Sequence, residues 1–548
     1  MKTYTFILTT ILALAMTSCN GFLEEDPQNL LPEETAYNTQ EDLLNNAVLM
    51  LYNHVGGNAD SEGIQGTGRG IYDLNTFTTD EAIMPTRGGD WYDGGFWQGL
   101  FLHKWGVNND AILNTWEYLY RTIILCNRSM KSIEIFTSTH PDTDVSAMEA
   151  EVRALRAMFY YYAMDLFGNI PLITEYENSE NNMNQELRST LFRFIVKELQ
   201  ESLPLLSNER CNWPGEYYGR MTQGVACFLL AKLALNAEIY TDDNWTDGQR
   251  PDGKQIMFSI NGTEKNAWET TIYYCEQLTD MGYTLEPDYT SNFAVFNESS
   301  TENIFIIPMD KNLYTNQYIY LFRSRNYNHA AAYGLGGENG SSATIEVLET
   351  FGYETPEQDV RFDYCYFAGP VKDLSGNQIY LDDKVTPLVY EPWSVKLDVS
   401  GETCEKTAGA RMKKYEVDTQ AYKDGKLFDN DIVVFRYADV LLMQAEAKVR
   451  NGQNGDTELN VVRQRVGEEP RTATLENILA ERQLELAWEG WRRQDLIRFG
   501  QFTRAYHSRP QLENEASGYT TVFPIPESII QRYSESMKQN EGYEVFFR

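Results

Sequence analysis

Val152, Leu155, Phe159, Tyr162 and Leu166 step by three and four residues and so share one face of a helix, which Gly168 and Pro171 stop. A stripe that wide cannot be left in water, and it demands other helices packed against it. The chain supplies them. Apolar residues recur at helical intervals from Asn109 to Ile135, and Leu187, Leu191, Ile195 and Leu199 repeat the pattern in a segment closed by Pro204. Thr222 is placed to cap a further helix, whose small residues Ala226, Ala231, Ala234 and Ala237 would let a partner come close; Trp268, Ile272, Cys275 and Leu278 suggest that partner. An earlier helix starts at Glu41 (EDLLNNAVLMLYNHV) and ends in the glycines between Gly56 and Gly70. The pairs are tetratricopeptide-like, but an insertion from Thr241 to Asn266 breaks the expected period of about 34 residues.

From Tyr283 to Asp431 the pattern changes to short β-type runs such as NIFIIP (303 to 308), spaced by glycine- and asparagine-rich turns. Helices return with Tyr437, Leu441, Ala445 and Val449, then over Ile478 to Trp488, and the chain closes in VFPIPESII (522 to 530). Helical segments on both sides of the insert are expected to pack together. The expectation is a mainly α single domain over 41–548, with N-terminal helices at 41–282, a loop-and-strand insert at 283–431 and C-terminal helices at 432–548.

The N-terminus reads as an export signal: a lysine at position 2, an apolar run from Phe6 to Met16, then Thr17-Ser18-Cys19. The run is too short to span a bilayer, which takes about 20 residues. Residues 1–18 are therefore read as a signal peptide and 19–40 as a tether, with Cys19 the lipid-modified cysteine and its acyl chains the membrane anchor. Met16 stands where such signals usually carry leucine. The net charge of −34 would repel phosphate backbones and anionic lipid surfaces, which disfavours nucleic acid as a partner.

The segment PTRGGDWYDGGFW (85 to 97) crowds aromatic rings among glycines that weaken helix and strand alike. A sugar presents C–H groups on its faces and hydroxyls round its rim. Trp91 and Trp97, beside Arg87 and Asp90, supply rings for the faces and bidentate groups for the hydroxyls. An indole covering roughly 100 Å² of C–H surface would contribute about 2.5 kcal/mol. The other reading is that these rings bury themselves as a satellite cluster beneath a long loop, and local sequence leaves both open.

Other chemistries have weaker support. GTGRG (66 to 70) follows no apolar strand and precedes no Gly-Lys-Ser/Thr, so it is a poor phosphate cradle. Asp80, Glu81, Asp90 and Asp93 could be read as glycosidase carboxylates, but that mechanism requires a set separation. Glu481, Glu485 and Glu489 share a helical face, with Arg482, Arg492 and Arg493 alongside, which favours internal ion pairs over a metal cluster. His103 reads as a surface histidine bordering the loop. The cysteines beyond Cys19 are scattered without a CxxC pair, and Cys227 and Cys275 read as buried thiols. Neither a metal nor another cofactor is expected.

Several stretches in order resemble the SusD/RagB family of surface lipoproteins: FLEEDP (22 to 27), RALRAMFYYYAMDLFGNIPLI (153 to 173), FRYADVLLMQAEAKVRNG (435 to 452) with LNVVRQRVG (459 to 467), ERQLELAWEGWRRQDLIRFG (481 to 500) and FPIPESII (523 to 530). The resemblance implies a SusD-like fold in which tetratricopeptide-like helix pairs scaffold a loop-rich half with short strands. It also implies a non-enzymatic, surface-exposed protein of the outer membrane that holds oligosaccharide, or in some relatives peptide, and works with a SusC-like TonB-dependent transporter. The acidic run Glu24 to Asp26 resembles the family's export signal. Arg87, Asp90, Trp91 and Trp97 match the family's binding loop in type and place. Tyr314, Tyr318 and Arg323 are the candidates for the facing wall by position. Arg156, Glu446 and Glu485 fall in motifs assigned to the scaffold.

Overall fold

The computed structural model describes residues 37–57, 59, 61–177, 183–422 and 425–543. Cys19, the export signal and FLEEDP lie outside the described residues. The chain is mainly helical, with 44% helix and 10% strand. Among the described residues, no helix is long and apolar enough to cross a membrane.

The long helices are α1 (Asp110–Thr139), α2 (Ser146–Phe167), α3 (Arg188–Ser202), α4 (Gln223–Leu235), α5 (Ala267–Asp280), α6 (Tyr437–Arg450), α7 (Asp456–Arg465) and α8 (Leu475–Leu486). Sequence neighbours pack on one another: α1 on α2, α2 on α3, α4 on α5, and α6 on α7 and α8. Helix α6 also packs on α5, so the helical halves meet directly across the insert. Local chemistry sets several starts. Asn109 accepts the Ala111 and Ile112 amides at the head of α1, Asn266 and Glu269 form a reciprocal capping box on α5, and Thr474 caps α8. Thr222 occupies the cap position of α4, but its side chain makes no capping bond. Helix α4 is buried nearly all round, as its small and apolar composition requires.

The segment expected as one helix from Glu41 is irregular. It runs as helix over Gln40–Leu43, a π turn over Leu44–Val48, a tight turn over Leu49–Leu51 and helix again over Tyr52–Gly56. Asn45 and Asn46 at its centre are weak helix formers.

Strands β1 (Asn303–Ile307) and β2 (Ile432–Arg436) are buried throughout and pair antiparallel, with Ile432 opposite Ile307 and Arg436 opposite Asn303. The insert thus closes on its own ends, and β2 runs straight into α6. Arg436 at that junction binds Glu302 at 2.8 Å and Glu485 at 2.5 Å, and it grips Glu489 as well. Arg361 reaches Glu481 and Glu485 at 2.7 and 2.9 Å, and Arg463 takes the other oxygen of Glu481 at 2.6 Å. The acidic helical face is therefore an ion-pair network. Burial alone would raise the Glu485 carboxyl, but Arg465, Arg436 and Arg361 outweigh it and hold the group well below the usual carboxylate range. The described cysteines are free and buried. Burial pushes the Cys227 thiol up to about 12.

Candidate functional site

The loop at 85–97 is anchored at its start and strained in its middle. Thr86 exchanges backbone hydrogen bonds with Leu397 and Val399, and Arg87 and Asp90 bond reciprocally at 3.0 and 3.1 Å around the Gly88-Gly89 tip. Gly88 has φ +66°, the left-handed backbone that only glycine takes freely. Trp91 and Asp93 take it too, at +64° and +43°. Such a conformation costs a side-chain-bearing residue about 1–2 kcal/mol, and strain of this kind concentrates at ligand sites.

The strain sends the rings in different directions. Trp97 is 3% exposed. It meets Phe77, Phe96 and Trp91 edge-on and donates its indole N–H to Asp93 at 2.8 Å. This corrects the expectation of a sugar platform at that position. Trp91 is half-buried: its N–H bonds the Glu338 carbonyl at 2.9 Å, and its ring fills the space a Cβ at Gly340 would need. Tyr92 stands 57% exposed.

The remaining expected contacts divide the same way. Arg323 is fully buried, forked on Asp73 at 2.6 and 3.2 Å, with the Trp97 and Phe77 rings stacked over it. Tyr318 is fully buried and donates to the Gly56 carbonyl at 2.8 Å. Tyr314 is half-buried and packs against Gly56. These residues brace the floor and the first helical segment, so the assignment of Arg323 and Tyr318 to a facing wall fails on burial, while Tyr314 keeps part of its ring at the surface. Arg87 is also buried. It holds the Glu405 and Ala408 carbonyls at 2.8 and 2.9 Å and the Ser342 hydroxyl at 3.0 Å. With Arg325 and Arg411 it surrounds buried Tyr390, and burial drives the Arg87 guanidinium well below its usual range and those of Arg325 and Arg411 down to about 10.

Asp90 and Trp91 stay at the surface, and residues the sequence reading missed join them there. Tyr327, 47% exposed at the start of a short helix, donates its hydroxyl to Asp90 at 3.2 Å. Burial and then Asp90 raise the Tyr327 phenol, so it remains a donor. The next residue, Asn328, donates to the carbonyl of Tyr380, itself 44% exposed. The only local hint was RNYNHAAAY (325 to 333), where tyrosines and amides flank small residues within the insert. On its other side the loop borders an open depression of about 610 Å³ whose lining includes Asp93, Phe96, Lys104, Trp105 and Tyr519.

This surface offers flat rings with an acceptor, a donor hydroxyl and an amide between them. Of the four carboxylates that hydrolysis could draw on, three are engaged within the fold. Asp80 is buried in the grip of Arg492 and Arg504, and Glu81 is buried and accepts the Trp488 amide. Asp93 is taken up by Trp97 and Arg69. His103, expected at the surface, is buried against Glu515 and Arg509. Among the described residues, no group of three potential ligands could hold a metal ion.

The sequence profile of the SusD family matches residues 255–543. A second profile, described as starch-binding associating with outer membrane, matches residues 21–235. The chain is 24% identical to the starch-binding protein SusD of Bacteroides thetaiotaomicron over 88% of this chain and 87% of that protein. It is also 24% identical to SusD-like protein P25 of Formosa agariphila, over 91% and 90%. Among solved structures, surface glycan-binding protein A from Bacteroides thetaiotaomicron in complex with laminarihexaose shares the fold at TM-score 0.66 and 20% identity, over 91% of this chain and 99% of that one. A laminarin-binding SusD-like protein aligns at TM-score 0.65 and 21% identity, over 92% and 100%.

Proposed function

Since the chain belongs to the SusD family, we propose that it captures oligosaccharide at the outer membrane and passes it, without chemical change, to a SusC-like TonB-dependent transporter. Cys19 would carry the lipid that tethers it. The observation that carries this reading is the Asp90–Tyr327 bridge, which joins the strained aromatic loop to the insert and sets exposed rings beside a hydroxyl, an amide and a carboxylate at the surface. Sugar hydroxyls already bond to water, so each polar contact nets only about 0.5–1.5 kcal/mol, and ring burial supplies most of the affinity. A starch-binding protein is among this chain's relatives, and a laminarin-binding one is among its structural neighbours.

Against hydrolysis, Asp80 and Glu81 are closed off from solvent, Asp93 is held by Trp97 and Arg69, and Asp90 is bonded by Tyr327. The test is titration calorimetry of the purified chain against starch- and laminarin-derived oligosaccharides and a wider glycan panel, with Tyr327→Ala and Trp91→Ala in parallel. Binding that weakens in these variants, with the saccharide recovered intact, is the expected result. Equal binding by wild type and both variants would remove the assignment of the surface, and recovery of only peptides would favour the RagB-type role.

A further inference from the structure

The fold is consistent in how it treats buried arginines, with one exception. Arg156, Arg220, Arg323, Arg361, Arg436, Arg463, Arg482, Arg492, Arg493, Arg498 and Arg509 bind carboxylates, and Arg87, Arg325 and Arg411 bind backbone carbonyls. Arg188, 1% exposed at the head of α3, forms no hydrogen bond through its guanidinium among the described residues, and its Nε is buried without a partner. Its flat faces are occupied, lying 5.1 Å from the Tyr240 ring and 5.7 Å from the Trp245 ring. The edge that carries the donors is left over. Buried donors without acceptors are costly to keep, so a site that retains them needs a reason.

Arg188 lines a cavity of about 310 Å³, at the lower end of the range for small-molecule sites. Asp242, Trp245, Gln249, Arg250 and Thr503 share its wall. The nearby acids are engaged elsewhere: Asp165 holds Arg493 and Tyr240, and Asp243 takes the Ser189 amide and hydroxyl. Asp242 accepts the Asn244 amide but makes no ion pair with Arg188. Arg250 donates to the carbonyls of Arg498 and Ile497 and has no carboxylate partner among the described residues. The Trp245 indole N–H is likewise buried without an acceptor. Trp245, Gln249 and Arg250 all come from the insertion that interrupts the helical repeat, and a Cβ at Gly168 would collide with the Trp245 ring at 2.6 Å. The chain has thus built one wall of this cavity from an insertion seated on the glycine that ends α2.

We propose that this cavity binds a sugar acid of monosaccharide size, whose carboxylate takes the free edge of Arg188 and whose hydroxyls bond to Asp242 and Thr503. A planar guanidinium matches a carboxylate with two parallel charge-assisted hydrogen bonds, stronger than the pair a neutral diol could accept. The site shares no residue with the Asp90–Tyr327 surface, so it can fail without affecting glycan capture there.

Calorimetry on the full chain at fixed ionic strength would compare galacturonate, galactose and sulfate. Galacturonate should bind at least about tenfold more tightly than galactose, the difference expected of a charge-assisted pair, and sulfate should compete with it. Arg188→Gln should abolish the preference, while Asp242→Asn should weaken galacturonate and spare sulfate. Equal affinity for galacturonate and galactose, or a folded Arg188→Gln that keeps the preference, overturns the proposal. Should that variant not fold, a selenate soak of wild-type crystals decides the matter: an anomalous peak within hydrogen-bond reach of Arg188 supports the site, and a cavity without one overturns it.

Discussion

The Arg323 guanidinium grips the Asp73 carboxylate with two hydrogen bonds, 2.6 and 3.2 Å, in full isolation from solvent, and the Trp97 indole lies 5.2 Å above it. Arginine and indole, each plausible as a sugar contact, are instead used to hold up the loop that carries the surface. Arg323→Ala is therefore expected to destabilise the protein by about 3–5 kcal/mol, the cost of stranding a buried charge. Trp97→Ala should cost about the same through lost packing. Urea denaturation would measure both, and a variant with unchanged stability but lost binding would return that residue to the ligand face.

Tyr327 should behave in the opposite way. Its ring is 47% exposed and its polar partner among the described residues is Asp90. Tyr327→Ala is expected to lower glycan affinity roughly tenfold while changing stability by less than about 0.5 kcal/mol. Tyr327→Phe, which keeps the ring and loses the bridge, should cost about 0.5–1.5 kcal/mol of binding. Calorimetry paired with thermal melts separates the two effects.

Gly340 offers a way to move Trp91 without touching it. A Cβ there would lie 2.8 Å from the Trp91 ring and 2.9 Å from the Met84 sulfur. Gly340→Ala should push the indole out of its seat, shift the tryptophan emission and weaken glycan binding. An unchanged emission spectrum with full affinity would show that the Trp91 seat does not shape the surface.

Glu81 predicts a pH effect on stability. Burial, with a smaller contribution from Asp80, outweighs the Trp488 amide, Arg492 and Lys414 and raises its carboxyl from 4.5 to about 7. Below pH 4.5 the group is protonated whether the chain is folded or not. Between there and pH 7 the unfolded chain has released the proton while the fold retains it, so this group's contribution falls as pH rises and stays low above 7. Glu81→Gln should therefore stabilise the protein by up to about 3 kcal/mol at pH 8 and by little at pH 4. Melting curves at the two pH values check this, and an equal gain at both would refute it.

Much of the scaffold could be read from order along the chain. The stripe from Val152 to Leu166 needed only helical spacing to predict α2, and Gly168 marked its end. The acidic face of Glu481, Glu485 and Glu489 announced ion pairs, because so many carboxylates beside arginines on a buried helix must be compensated. The loop at 85–97 could be recognised as exceptional, since glycines and rings together suit neither helix nor strand.

What the sequence could not say is which of those rings reaches water. Composition assigns the same chemistry to Trp91 and Trp97, to Arg87 and Arg323. Their fates were settled by backbone dihedrals at Trp91 and Asp93 and by partners hundreds of residues away, such as Asp73 for Arg323 and Glu338 for Trp91. Spacing along a helix repeats locally and so can be read from neighbours, whereas burial is a property of what the rest of the chain brings alongside. The helices and their pairing therefore follow from local order, and the surface proposed to face the ligand, with Tyr327 brought to Asp90, exists only once the insert has folded onto the loop.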